Sequence, residues 1–196
     1  MDKYICHHTI NKLYDDNILL PLYLQQKSLQ KNINKLQSVL LKHNLDKQLI
    51  NNIIDDYVIN LIPAGLKGVI RGNLFNEIVK NKIIDLNLDC EIKFEEKHPK
   101  IKTDEIPDFY IQKDDKIIIG MNQLDLWGGG AQSNRGSKYI YNKINSDNCK
   151  LLSVVLNDPK LKGNKSKKYK LVKYGIKHNR LCWLNNLGFI IRNFIK

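Results

Sequence analysis

Between Pro107 and Asp125 two apolar stretches face each other across a turn, and this hairpin narrows the available folds more than any other feature. Pro107 to Ile111 and Lys116 to Gly120 have the alternation and the β-branched side chains of strands, and Lys113, Asp114 and Asp115 between them have turn composition. The second strand is expected to continue from Met121 through Asp125. Trp127 and the glycines Gly128 to Gly130 then break the pattern, Ser133 and Asn134 are N-cap candidates for a helix through Ile144, and Leu151 to Leu156 reads as an apolar strand. Strand, crossover helix and strand make a parallel pair, whereas the hairpin is antiparallel. The expected class is therefore α/β, a mixed β-sheet flanked by helices, with Cys90 to Phe94 as an earlier strand.

Upstream the period is helical. Leu29, Ile33, Leu36 and Leu40 form one stripe, and Leu49, Ile53, Ile54, Tyr57, Val58 and Leu61 repeat it after a break near Asn44 to Asp46. A further helix is expected from about Ile70 to Asp85, burying Phe75, Ile78, Val79 and Ile83. This divides the chain into an N-terminal helical region (1–62), a core (63–158) and a basic C-terminal segment (159–196). The stripes between Leu22 and Leu61 need burial, against either their own core or a second copy of the chain in a homodimer.

The net charge of +12 is unevenly placed. Of 32 Lys and Arg, 11 lie between Lys160 and Lys196, where there is no acid; the remaining 21 face all 20 acids, a balance of +1. Such a segment attracts a polyanion and displaces its counterions. Tyr169, Tyr174, Trp183, Phe189 and Phe194 interleave the charges, as on a folded surface that binds nucleic acid rather than in a solvated tail. Lys165, Lys167, Lys168 and Lys170 are the candidate phosphate contacts. No run approaches the roughly 18 apolar residues of a membrane span, and His7 and His8 stand where a signal peptide would be apolar. An intracellular, cytoplasmic protein without membrane partners is expected, in the host cell if the chain is viral. Cys6, Cys90, Cys149 and Cys182 are scattered, so reduced thiols are expected, and His98 and His178, like His7 and His8, lack metal-ligand spacing.

With the turn near Asp114, position 121 falls opposite Asp108, and Met121, Gln123 and Asp125 share a face. Asp108, Gln123 and Asp125 are thus expected to meet. Close acids repel unless a cation lies between them, and oxygen ligands suit Mg2+, which can activate water for attack on a phosphate. Each acid alone has an ordinary alternative, Asp108 as a turn cap and Asp125 as a solvated strand end. The glycine turn before a helix can cradle phosphate through its amides with Arg135 nearby, or can simply let the chain turn; it lacks the Lys-Ser/Thr of a nucleotide-binding loop. Gln132, Asn134 and Arg135 have the donors and acceptors that read bases in a major groove.

Pro107 and Asp108 on one strand, Gln123-Leu124-Asp125 on the next, Glu77 on a preceding helix, and the following helix and strand resemble the PD-(D/E)xK nuclease core of type II restriction endonucleases. The stretches IPAGLKGVIRGNLFNEIV and IIIGMNQLDLWGGGAQSNRGSKYI are similar to those of restriction-type enzymes from large DNA viruses and bacteria. The resemblance spans about residues 66 to 158. It implies a restriction-endonuclease-like core and a hydrolase that cuts double-stranded DNA at a specific sequence with Mg2+. A homodimer and a companion DNA methyltransferase of a restriction-modification pair are the partners it implies. Asp108, Asp125 and Glu77 would be metal ligands, and Gln123 would orient water or metal. The sequence departs from the family where Glu-x-Lys is usual: here the pair is Gln-x-Asp, or Met121-x-Gln123 two residues earlier. Lys138 would be the displaced lysine, unless it faces solvent or a DNA phosphate. The departure also leaves open a catalytically inactive DNA-binding protein of the same fold, and the chemistry leaves open a structure-specific repair or RNA-processing nuclease.

Overall fold

A computed structural model describes residues 11–124, 130–156 and 167–196; of residues 130–133, 167 and 168 only the backbone is described. The chain divides into two compact units, Lys3–Leu74 and Phe75–Lys196. The boundary falls inside a helix, twelve residues beyond the expected end of the helical region at 62.

The first unit is helical. Residues 11–14 are helical, followed by α1 (Asp16–Leu24), α2 (Lys27–Lys42), α3 (Lys47–Leu61) and the beginning of α4 (Ala64–Ile84). Capping chemistry sets the starts: Asp15 Oδ1 accepts from the Asn17 amide at 3.0 Å, and Asp46 Oδ1 from the Leu49 amide at 2.9 Å. Asn44, in the left-handed region at φ 58°, makes the break anticipated between α2 and α3. Leu29 and Val58 from the two stripes are buried with Leu19, Tyr23 and Ile62, and Ile33 and Leu61 pack on them. The unit thus buries part of both stripes itself, while Val39, Leu41, Leu49 and Tyr57 are exposed. Asp16 ties the unit together by accepting from Lys67 Nζ at 2.6 Å, Arg71 Nη2 at 2.7 Å and the Tyr23 hydroxyl at 3.0 Å. These donors keep its carboxyl below the usual range despite the opposing cost of burial.

The second unit is built on five strands, β1 (Glu91–Phe94), β2 (Phe109–Lys113), β3 (Lys116–Gln123), β4 (Cys149–Val155) and β5 (Leu181–Trp183), in that spatial order. β1, β2 and β3 pair antiparallel, and β3, β4 and β5 pair parallel. The α/β class and the mixed sheet are as the sequence implies. Asp114, at φ 53°, closes the hairpin between the paired Lys113 and Lys116. Two crossover helices, α5 (Gly130–Ile140) and α6 (Lys167–Lys177), connect the parallel strands, and α7 (Leu187–Phe194) ends the chain.

Side chains alternate across the sheet. Ile117, Ile119 and Met121 join Tyr110, Tyr139 and Leu151 in one apolar cluster, and Ile140, Val155, Leu171, Val172 and Leu181 form another. Each such buried aliphatic side chain contributes about 1.5–3 kcal/mol. Along α4, Phe75, Val79 and Ile83 are buried at four-residue spacing.

Three elements differ from expectation. α4 begins at Ala64, directly after Pro63, whose carbonyl accepts from the Lys67 amide at 3.1 Å; helix-start proline outweighs Gly65 and Gly68. α5 ends at Ile140 rather than Ile144, because the Asn142 and Asn145 side chains bond local backbone and stop the helix. The basic segment supplies α6 and a strand of the sheet itself, with Leu181 and Cys182 buried; at three residues the strand is too short for an alternation to mark it in the sequence.

Candidate active site

Asp108 stands just before β2, with its amide donating to the Gly120 carbonyl at 3.0 Å and its carbonyl accepting from the Glu95 amide at 3.1 Å. The backbone is therefore fixed on both sides by neighbouring strands. Its carboxylate accepts from the Asn122 amide at 2.6 Å and from Asn76 Nδ2 at 3.2 Å, and Asn122 Nδ2 donates to Asn76 Oδ1 at 3.2 Å. Asp108, Asn76 and Asn122 thus close a ring of hydrogen bonds joining α4, β2 and β3. Burial pushes the Asp108 carboxyl above its usual range, opposed by the Asn122 amide, the Arg135 charge and Asn76.

Phe109 lies opposite Gly120, which sets position 121 against Asp108, as the turn implies. The partner of the carboxylate is nonetheless Asn122 and not Gln123. Asp108 precedes the regular strand, so its side chain is free to turn back to the main-chain N–H of Asn122 instead of lying on the face of Met121 and Gln123. Gln123 is buried at the adjacent position. Asp125 lies outside the described residues.

A cavity of about 130 Å³ opens at the carboxylate and is lined by Asn76, Glu77, Lys80, Glu95, Asp108 and Asn122, among others. Glu77, exposed on α4 one residue after Asn76, therefore reaches the same cavity as Asp108. Glu95 was not legible as a site residue. It adopts φ 56°, an uncommon conformation for a residue with a side chain, and such strain gathers at functional sites. Lys80 places its ammonium 5.6 Å from the centre of the Phe94 ring on the same wall.

Asp108, Glu77, Glu95 and the side-chain amide oxygen of Asn122 are hard oxygen donors, the kind that Mg2+ prefers. Asn122 is 9% exposed, and its Oδ1 has no hydrogen-bond partner among the described residues. A buried carbonyl oxygen left so is costly unless a cation or donor meets it, and this orphan acceptor is the observation that fits a metal. Among the described residues no three acidic, histidine or cysteine groups stand together as a ready ligand set.

The remaining candidates fall elsewhere. Lys138 is exposed and pairs with the exposed Asp104 at 3.4 Å rather than with Asp108. Arg135 grips Glu105, its Nε and Nη2 each 2.9 Å from Oε2. Asn134 is exposed; the Gln132, Lys167 and Lys168 side chains, the whole of Lys165, and the glycine turn as far as Gly129 lie outside the described residues. Lys170 is exposed on α6 together with Lys173 and Lys177, whereas Leu171 and Val172 face the core. The spacing 170, 173, 177 puts the three cations along one helical face.

His98 is a packing residue: its Nδ1 accepts from the Lys100 and Ile101 amides, leaving Nε2 to donate to Gln112 Oε1 at 2.9 Å. Cys90, Cys149 and Cys182 are unpaired thiols, and Cys6 lies outside the described residues. No helix among the described residues is long and apolar enough to cross a membrane.

No family model, curated protein or solved structure matches the chain.

Proposed function

We propose that the chain is a Mg2+-dependent endonuclease of double-stranded DNA with a restriction-endonuclease-like core, cutting at a specific sequence as type II restriction enzymes do. The observation that carries this is Asp108, a carboxylate held at a strand junction by the Asn122 amide and Asn76 Nδ2 among the described residues, on a cavity whose other polar groups are acids, amides and one lysine. Asp108 and Oδ1 of the Asn122 side chain would hold the metal, with Glu77 and Glu95 lining the same cavity. When bound, Mg2+ supplies a lowered pKa for water and neutralises charge on the phosphate. The Asn122 amide and Asn76 orient the Asp108 carboxylate, and the ring they form with it resists displacement by substrate. Lys170, Lys173 and Lys177 give α6 a face that tracks a phosphate backbone without reading sequence.

Nicking of supercoiled plasmid with and without Mg2+ tests the reading. Wild type nicks only with the metal, and Asp108→Ala does not nick while it still binds the same DNA in Ca2+. Undiminished cutting by that variant refutes the site. Metal-independent binding with no cutting by wild type establishes the silent DNA-binding alternative, and sequencing the ends of discrete fragments distinguishes restriction from structure-specific cleavage. Sedimentation with and without DNA tests whether two copies act together on a twofold site.

A further inference from the structure

A row of three rings at the end of α5 and on α6 has no task in that scheme. Tyr174 is partly buried on α6, packed against the cluster of Ile140, Val155 and Leu171. Its ring centre lies 4.9 Å from that of Tyr141, at a tilt of 47°, and 4.2 Å from that of His178, at a tilt of 37°. Tyr174 is therefore the middle of the row, and it is pinned. Asn179, at φ 52°, ends the helix, and the Asn179 and Arg180 amides donate to the Ile176 and Gly175 carbonyls in the pattern of a Schellman cap. The chain so turned brings Arg180 Nη1 to the Ile140 carbonyl at 3.0 Å and to the Tyr174 hydroxyl at 3.5 Å. One guanidinium thus fixes both the middle ring and the main chain next to Tyr141. Tyr141 itself is 51% exposed, so much of its ring is open to solvent.

The same face is basic. Lys170 and Lys177 stand one turn before and one turn after Tyr174, about 5 Å along the axis in each direction. With Lys173 they are exposed and make no ion pair among the described residues, and there is no Asp or Glu from Lys160 to Lys196. An open aromatic ring beside a line of cations suits a ligand that combines flat π-faces with a repeated negative charge, which is a nucleic-acid strand. In a duplex each base is covered by its neighbours, so only an unpaired strand can offer a base face to a ring. An acidic peptide would satisfy the lysines and leave the ring without a use. We propose that Tyr141 stacks on an unpaired base of a DNA strand while Lys170, Lys173 and Lys177 hold the phosphates of that strand. The choice of DNA rests on the endonuclease reading above; cuts at offset positions in two strands leave such an unpaired end.

The test measures binding of the whole chain, without Mg2+, to labelled oligothymidylate of about 12 nucleotides, to an abasic strand of the same length, to oligouridylate and to a closed circle of duplex DNA, with thermal melting of each variant. Wild type binds oligothymidylate more tightly than the abasic strand. Tyr141→Ala weakens oligothymidylate by about 5- to 100-fold and leaves the abasic strand and the duplex unchanged, whereas Tyr141→Phe, which keeps the ring, binds as wild type does. Tyr141→Leu keeps an apolar contact with Tyr174 and therefore the fold, yet binds as weakly as Tyr141→Ala. Replacing Lys170, Lys173 and Lys177 with Gln weakens all four ligands. The inference is overturned if wild type binds the abasic strand as tightly as oligothymidylate, or if Tyr141→Leu binds oligothymidylate as wild type does. It is overturned equally if Tyr141→Leu loses every ligand together with its melting temperature, which makes the ring a packing residue, or if oligouridylate is preferred, which assigns the surface to RNA. Stacking that depends on Tyr141 in a protein that never nicks plasmid refutes the endonuclease reading alone; nicking by wild type with no dependence of strand binding on Tyr141 refutes this inference alone.

Discussion

Gly120→Ala is the sharpest test of how the sheet positions Asp108. A Cβ at this position would stand 2.0, 2.1 and 2.5 Å from three atoms of the Phe109 ring. Carbon atoms in contact prefer about 3.5–4.0 Å, so the ring must retreat by about 1.5 Å. Phe109 is 0% exposed, and β3 is held on both sides by β2 and β4, so neither the ring nor the backbone can yield freely. Overpacking costs about 1–3 kcal/mol, and partial expulsion of a buried aromatic adds about 1.5–3 kcal/mol. A combined loss near 4 kcal/mol, at a urea slope of about 2 kcal/mol/M, moves the unfolding midpoint down by about 2 M. Cleavage should fall as well, because Phe109 is covalently next to Asp108 and the Asp108 amide donates to Gly120. Phe109→Ala alone also destabilises by leaving a cavity, but combined with Gly120→Ala it should lose clearly less than the sum, since the added methyl enters the vacated space. A Gly120→Ala unfolding free energy within about 0.5 kcal/mol of wild type, or strictly additive losses, would refute the close approach of ring and glycine.

Asp108→Asn tests the strained charge. The folded protein holds the Asp108 carboxyl above the unfolded value near 3.8, so wild type loses stability as pH rises through the folded pKa. The Asn variant lacks that loss: it should match wild type below the unfolded value and melt higher at neutral pH, with Mg2+ stabilising wild type only. A variant no more stable at neutral pH than in acid, relative to wild type, contradicts the buried charge. Replacing Lys170, Lys173 and Lys177 with Gln should weaken cognate and random DNA alike, and should reduce the slope of log affinity against log salt by about 0.9 per lost phosphate contact. An effect confined to one sequence would assign these lysines to base recognition instead.

The amino-acid order alone determined the class of this protein. Alternation around Lys113 to Asp115, followed by a helical period and another apolar run, admits few arrangements other than a mixed sheet, because the period of burial is local chemistry. The same local arithmetic placed Asp108 opposite position 121 and located the break at Asn44. The hydrogen bonds of Asp108 depended on tertiary structure: Asn76 is 32 residues away on another element, and only the packing of α4 against the sheet brings it to the carboxylate. Glu95 is invisible in sequence because its place follows from backbone torsion and strand pairing, not from any pattern of neighbours. The pairing of Lys138 with Asp104 and of Arg135 with Glu105 was decided in the same way, since which acid each basic residue of one helix faces depends on where a distant loop passes. Period and charge are properties of short stretches, whereas a site is a meeting of stretches, and only the packed fold decides which ones meet.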